Sequence, residues 1–296
     1  METRLLKYFL AVAQEGSISK ASNVLHITQP TLSRQIKSFE ESLGTILFDR
    51  NNNMALTSTG LLLRERAIEI LQLVNKVEGE IEIQGKENLT GHISFGCIEG
   101  TGSAIFSELV ASFHEKYPQV TYSIYTGVGD DITDRIDKGI IDVGVVLEPI
   151  ALNKYKFVPF NNPEPWGILV HRNHPSADLD IVTPDDLVDQ ALFIADREPI
   201  IQRLSKWFNK DINELNIIGN YKLLSNVALL VEKEVGIAIT IQGPALHYQN
   251  EDTKFISLES ATKSDSLLVW KKDRILSQMV EKFIEHSKEM LKEKLN

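Results

Sequence analysis

Residues 28–37 read Thr28-Gln-Pro-Thr-Leu-Ser-Arg-Gln-Ile-Lys37, and this stretch decides how the rest of the chain is organised. Thr28 is placed to begin a helix, and Pro30 falls in its first turn, where a missing N–H costs nothing. Leu32, Ile36, Phe39 and Leu43 then recur at spacings of four, three and four, an apolar stripe along one helix face. At roughly 100° per residue, the opposite face carries Pro30, Ser33, Arg34, Lys37 and Glu41, and Gln29 projects from the first turn. Gln, Ser, Arg and Lys supply the donors and acceptors that major-groove base edges and phosphates require. On an isolated helix such a face is most simply solvated. The element before it shifts the reading. A short helix carrying Ala21, Val24 and Leu25, capped by Ser17 or Ser19, connects tightly to this one, which is the pattern of a helix-turn-helix.

Further out, Leu5, Leu6, Phe9, Leu10 and Ala13 make an amphipathic first helix that Gly16 stops. On the C-terminal side, Thr59 is placed to cap a long helix with Gly60 just inside. Along that helix Leu63, Ala67, Ile70, Val74, Val77 and Ile81 form an a/d seam over nearly three heptads. The stripe fits a helix facing its own domain's core and fits equally one pairing with a partner. The charges around it (Arg64, Glu65, Arg66, Glu69, Lys76, Glu78) favour the partner. Gln84-Gly-Lys-Glu-Asn-Leu-Thr-Gly91 then breaks the pattern and marks a domain boundary.

The blocks Phe9-Leu-Ala-Val-Ala-Gln-Glu-Gly-Ser-Ile-Ser-Lys-Ala-Ser22, Thr28 to Ile36, Leu43-Gly44, Leu47-Phe-Asp-Arg50 and Leu56-Thr-Ser-Thr-Gly60 follow one another in order. Together they resemble the N-terminal domain of LysR-type transcriptional regulators. The resemblance implies a winged helix-turn-helix that places Gln29, Pro30, Thr31, Ser33, Arg34 and Lys37 in the major groove and Arg50 in the wing, beside a phosphate or minor groove. It also implies that the long helix dimerises the heads, that the oligomer is a homotetramer built as a pair of dimers, and often an activator. One departure stands out. Wings of this family usually carry another basic residue soon after the position of Arg50, and here Asn51-Asn52-Asn53 follows. A shallower salt dependence is expected, since each lost phosphate contact lowers the log–log slope by about 0.9.

From residue 91 strands and helices alternate. Ile93–Ile98, Val120–Tyr125 and Ile140–Leu147 read as strands, with helices over Ala104–Tyr117 and Asp130–Lys138 between them. A second group runs from Trp166-Gly-Ile-Leu-Val170 through Ile194, Trp207-Phe208 and Val227–Val231 to Gly236-Ile-Ala-Ile-Thr240. Ser266-Leu-Leu-Val-Trp270 returns as a strand, and a last helix starts near Ser277. Such units imply parallel sheets with helices on both faces, in two lobes that the chain crosses twice and that enclose a cleft. This half resembles the family's effector-binding domain, a fold shared with periplasmic solute-binding proteins. The matching pieces are Gly96, Phe113 with Tyr117-Pro118, Gly127, Gly139–Gly144, His174-Pro175 and Val235-Gly-Ile-Ala238.

Ligands in such sheets sit beyond the strand C-termini, near helix N-termini whose free N–H groups attract anions. Glu99, Gly100, Thr101 and Ser103 hold that place after the first strand, Thr126 and Gly127 after the second, and Glu148 after the third. In the other lobe Arg197, Ser225 and Asn226 are comparable. Each equally fits a plain capping or turn role. The family often has Ser or Thr where Gly100 and Val128 fall, so two hydroxyls associated with carboxylate binding are missing. Glu99 and Glu148 near the mouth point to an effector bearing a cationic group such as an amine.

Composition sets the outer limits. The chain has 296 residues, 43% of them hydrophobic and 24% charged, which excludes a disordered or collagen-like protein and leaves room for two or three domains. Met1–Lys7 leads straight into an amphipathic pattern, so no secretory leader is expected, no run of 18 apolar residues occurs, and the lone Cys97 is expected in a buried strand; a cytoplasmic protein with no membrane association is expected. Net charge is −10, but residues 1–66 carry +2 and the remainder −12, so a DNA-binding head on an acidic body is permitted. Gly100-Thr-Gly102 and Gly127-Val-Gly129 lack the third glycine of a dinucleotide fingerprint. No phosphate loop or nucleophile elbow appears, and His171 and His174 have no further ligands, so no metal, cofactor or catalytic step is expected.

The expectation is therefore a transcriptional regulator, α/β with an all-α head. It comprises a winged helix-turn-helix over residues 1–58, a linker helix and hinge over 59–90, and a two-lobed effector-binding domain over 91–296. Lobe I spans about 91–162 and 267–296, and lobe II about 163–266. Its partners are an operator duplex, a small effector and further copies of itself, with RNA polymerase a candidate. The competing readings are a solute-binding protein, an α/β enzyme, or a regulator whose cleft no longer takes a ligand.

Overall fold

Apolar stripes and their breaks divide the chain into two units, residues 1–85 and 86–296. The structure, a computed structural model, describes residues 2–49, 54–83, 90–260 and 263–293, without the side chains of residues 79, 80, 82 and 83. The first unit runs α1 (Thr3–Glu15), α2 (Ile18–Val24), α3 (Gln29–Leu43), β1 (Phe48–Asp49), β2 (Ala55–Leu56) and α4 (Ser58–Ile83). Leu32, Ile36 and Phe39 of the α3 stripe close on Leu6, Phe9 and Val12 of α1 and on Ala21 of α2. Leu43, expected to extend the stripe, is partly exposed, because α3 ends there on Gly44 in the left-handed conformation. Ser17 caps α2, accepting from the Lys20 N–H.

Two local details differ from expectation. The cap of α4 is Thr57, not Thr59: the Gly60 N–H donates to Thr57 Oγ1 at 3.0 Å, and the Thr57 N–H is itself tied to the Leu47 carbonyl. The β ribbon pins Thr57, so the helix starts directly after β2. The seam along α4 is also divided. Ala67, with Leu63, Ile70 and Leu71, packs into the head's own core, while Val77 and Ile81 remain 50% and 64% exposed.

The second unit contains β3 (Gly91–Cys97), α5 (Gly102–Lys116), β4 (Val120–Thr126), α6 (Gly129–Lys138), β5 (Val143–Leu147) and β6 (Tyr155–Pro159). Then come β7 (Trp166–His171), α7 (Pro184–Leu187), β8 (Leu192–Ala195), α8 (Glu198–Phe208), β9 (Ile217–Tyr221), α9 (Leu224–Glu232), β10 (Ile237–Ile241), α10 (Gln242–Tyr248) and β11 (Thr253–Ser257). The described part closes with β12 (Ser266–Lys271) and α11 (Gln278–Glu293). One sheet has the order β4-β3-β5-β12-β6 and the other β11-β7-β10-β8-β9. The sheets are mixed rather than parallel throughout. β4-β3-β5 and β10-β8-β9 are parallel, but β12 runs against β5 and β6, and β7 against β10 and β11. The antiparallel strands β7 and β12 are the ones that follow the two crossings between sheets. Where the crossings meet, Glu164 and Ser264 pair as an antiparallel bridge. Phe283 of α11 packs between Phe95 and Phe113 at ring distances of 4.8 and 5.3 Å, tying the last helix to the first sheet.

Candidate nucleic-acid interface and effector cleft

On α3, burying Leu32, Ile36 and Phe39 forces Gln29, Pro30, Arg34 and Lys37 to solvent, with Thr31 and Ser33 half-buried at the flank. Thr28 and Thr31 hydroxyls hydrogen-bond at 2.8 Å, Arg34 Nε donates to the Pro30 carbonyl at 3.3 Å, and Lys37 lies 3.8 Å from Glu41. These are loose surface contacts that a phosphate or base can displace. A residue the stripe did not point to anchors the neighbouring ribbon. Glu40 is buried, and its Oε1 accepts from the Leu47 and Phe48 N–H groups at 2.8 and 3.2 Å. Arg50 and Asn51–Asn53, expected at the wing tip, lie outside the described residues.

In the second unit the C-terminal ends of β3, β4 and β5 face those of β8, β9 and β10 across a cavity of about 90 Å³. Its walls are largely apolar, with Ile98, Val128 and Leu147 on one side and Trp166, Ile200, Leu224 and Ile241 on the other. Of the residues singled out from sequence, Glu99, Gly127, Glu148 and Arg197 line it. The others stand elsewhere. Ser103 Oγ turns inward to the Ile98 carbonyl at 2.7 Å, and Gly100 and Thr101 sit behind the wall against Glu164. Thr126 and Asn226 are exposed and Ser225 is half-buried, none of them in the cavity wall.

Two interactions that sequence reasoning missed dominate the electrostatics. Arg197, 9% exposed, donates from Nε and Nη2 to the two carboxylate oxygens of Asp130 on α6, both at 2.8 Å, and so joins one lobe to the other. That hydrogen bonding holds the Asp130 carboxyl below the usual carboxylate range, against desolvation and with help from the charges of Arg197 and Lys222. Lys222 reaches Asp131 at 3.4 Å from the same side. The second is Glu164, 1% exposed. Its carboxylate accepts from the Thr101 N–H at 3.2 Å and from the Gly243 N–H, each at a helix N-terminus and each in a different lobe. Burial pushes its carboxyl upward, opposed by those two donors. Neither residue carries a motif, and their partners lie far away in the chain.

Among the described residues no helix is long and apolar enough to cross a membrane, and no group of three His, Cys, Asp or Glu is placed to hold a metal ion. His174 Nδ1 instead accepts from the Ser176 N–H at a short helical turn.

Residues 3–61 match the model of the bacterial regulatory helix-turn-helix proteins of the lysR family, and residues 86–292 match that of the LysR substrate binding domain. The chain belongs to the LysR family of transcriptional regulators. It is 30% identical over 295 residues to YwbI, an HTH-type transcriptional regulator of Bacillus subtilis (strain 168), covering 98% of this chain and 97% of that one. It is also 28% identical over 242 residues to the HTH-type transcriptional regulator YtlI of the same strain, covering 81% of this chain and 77% of that protein. Full-length CbnR, solved in complex with its target DNA, superposes with a TM-score of 0.74 over 98% of this chain and 99% of its own at 22% identity. As a LysR regulator, the chain is a DNA-binding protein with a C-terminal effector-binding domain.

A Cβ on Gly100 would lie 3.0 Å from a Glu164 oxygen, so a Ser or Thr there would require the internal carboxylate to give by a few tenths of an ångström.

Proposed function

We propose that the α3 face from Gln29 to Lys37 reads an operator in the major groove, while a small effector held between the two sheets alters how paired heads meet that DNA. The observation that carries the first half is the exposure of Gln29, Arg34 and Lys37 on a helix whose opposite side is sealed by Leu32, Ile36 and Phe39. Arg50 is assigned to the wing by the same reading. The exposed end of the α4 stripe, Val77 and Ile81, supports pairing of two heads over a pseudo-palindromic site. Exposed Ile124, Ile218, Leu229 and Leu230 support further self-association towards a tetramer.

The effector is placed in the cavity walled by Glu99, Gly127, Glu148 and Arg197 because strand ends from both lobes converge on it. A larger hollow of about 600 Å³ along α8, beside Arg203 and Trp207, has no such convergence. The effector acts through its different affinity for two assembly states. RNA polymerase is the further contact at a promoter, the site of action is the cytoplasm, and the protein performs no catalytic step.

The test is a footprint on DNA upstream of the protein's own gene. The wild-type protein is expected to protect a tract of several helical turns, and Arg34→Ala to lose it. The loss should match about 1–3 kcal/mol of operator discrimination if Arg34 contacts a base edge. Diffuse protection that is equal in both proteins overturns the reading.

A further inference from the structure

Helix α8 carries two stripes. Ile200, Leu204 and Phe208 are buried in the lobe, while Pro199, Gln202, Arg203, Lys206 and Trp207 recur at helical spacing along the flank and line the hollow of about 600 Å³. That volume falls within the ~300–1,000 Å³ of small-molecule sites. Trp166, at the start of β7, also stands in the wall, and both indoles are fixed. Trp207 Nε1 donates to the Glu259 carbonyl at 2.8 Å and its ring meets Phe208 edge-on at 4.8 Å; Trp166 Nε1 donates to Ser264 Oγ at 3.1 Å. The cations here are unmatched. Arg203 is half-buried, 5.6 Å from the centre of the Trp166 ring, and Nη1 donates to Ser264 Oγ, which leaves Nε and Nη2 without a described acceptor. Neither Arg203 nor Lys206 forms an ion pair with a described residue. Burial pulls the Arg203 pKa down, opposed only by the charge of Glu148 from beyond ion-pair distance. Arg197 is the contrast, since its Nε and Nη2 already hold the Asp130 carboxylate.

We propose that this hollow is a second small-molecule site, additional to the effector cleft, for a planar aromatic carboxylate: the carboxylate on Nε and Nη2 of Arg203 and beside Lys206, the ring against Trp207. A carboxylate supplies a half-buried guanidinium with the forked acceptor it lacks. A cation meets two like charges there, an uncharged ring leaves Arg203 unmatched, and a saturated acid forgoes stacking on the indole. The place of the hollow gives an occupant leverage. Ser264 pairs with Glu164 where the chain crosses between the lobes, and Trp166 stands in the wall of both the hollow and the cleft. A ligand held by Arg203 therefore bears on the hinge and on the neighbouring cleft.

Equilibrium dialysis of the full-length protein tests this with three probes: 2-naphthoate, its uncharged counterpart 2-naphthalenemethanol, and cyclohexanecarboxylate, an acid without a π-system. The protein is expected to retain 2-naphthoate and to hold each of the other two more weakly, the alcohol by about tenfold or more. Arg203→Gln should weaken 2-naphthoate about tenfold or more, and Trp207→Leu about two- to tenfold. Lys206→Glu reverses an exposed charge that no described contact uses, so the fold is kept; it should weaken the acid about threefold or more and leave the alcohol unchanged. Val128→Trp, which fills the cleft, should leave 2-naphthoate binding as it is. No retention at millimolar concentration overturns the inference, as does equal retention of acid and alcohol. Retention lost in Val128→Trp but kept in Lys206→Glu places the acid in the cleft; that overturns the second site while leaving the cleft as effector site.

Discussion

Glu40 shows how much one side chain settles. It lies on the buried side of α3 yet bears a carboxyl group, and it is tolerated there because the Leu47 and Phe48 N–H groups converge on one of its oxygens. Glu40→Ala leaves two backbone donors without that acceptor in the head's core. The expected cost is about 1–3 kcal/mol, read as a lower urea midpoint for the head with α3 helicity retained. The lone cysteine gives a contrasting case. Burial pushes the Cys97 thiol up to about 11, against its hydrogen bond to Ser103. The thiolate is the reactive form. A disulfide reagent at pH 8 should therefore label native protein far more slowly than urea-unfolded protein; equal rates would show that the strand does not shield it. Cys97 was readable as a core residue from its apolar neighbours. Glu40 and Glu164 were not, since a charged residue in a sequence reads as surface until its distant partners are known. The partners of Glu164, Thr101 and Gly243, are separated from it by whole strands and helices.

At the scale of elements, periodicity gave the three head helices and most strands, because burial on one face leaves a repeating mark. Direction leaves none. β7 and β12 are as apolar as their neighbours, so the pattern could not say that they run antiparallel. The α4 stripe failed differently: one heptad rhythm serves two contacts in succession, the head's own core around Ala67 and then exposed Val77 and Ile81. Replacing both exposed residues with Asp should leave the head's fold intact, since neither is buried in it. It should also put four charges into any paired seam. The expected outcome, checked by sedimentation at micromolar concentration, is a smaller assembly together with a shortened operator footprint. An unchanged assembly would place the pairing surface elsewhere.

For the two-lobed unit as a whole, the Arg197–Asp130 pair is a pH-dependent tie. Asp130 in the folded state sits below its ordinary 3.8, so the tie contributes fully above that value and is lost as pH falls below 3.8 through the folded pKa. Asp130→Asn should flatten the acid side of a stability–pH profile measured by urea melts, with little change in slope above pH 6. An acid limb identical to wild type would show that the lobes are held together by other contacts. Arg197 was recognisable from its place after β8, but as an open ligand for effectors. Its occupation by Asp130 belongs to the folded geometry alone.

The order of strands in the first sheet also bears on how the protein is born. β12 is the seam between β5 and β6, and it arrives after the whole second sheet has been made. On the ribosome the head emerges first, and the second lobe, whose five strands lie in one unbroken stretch, can close next. The first lobe must hold β3, β4 and β5 open until β12 and α11 appear. For that interval the protein is a finished DNA reader attached to an unfinished sensor, and its half-made sheet is the part most in need of a chaperone.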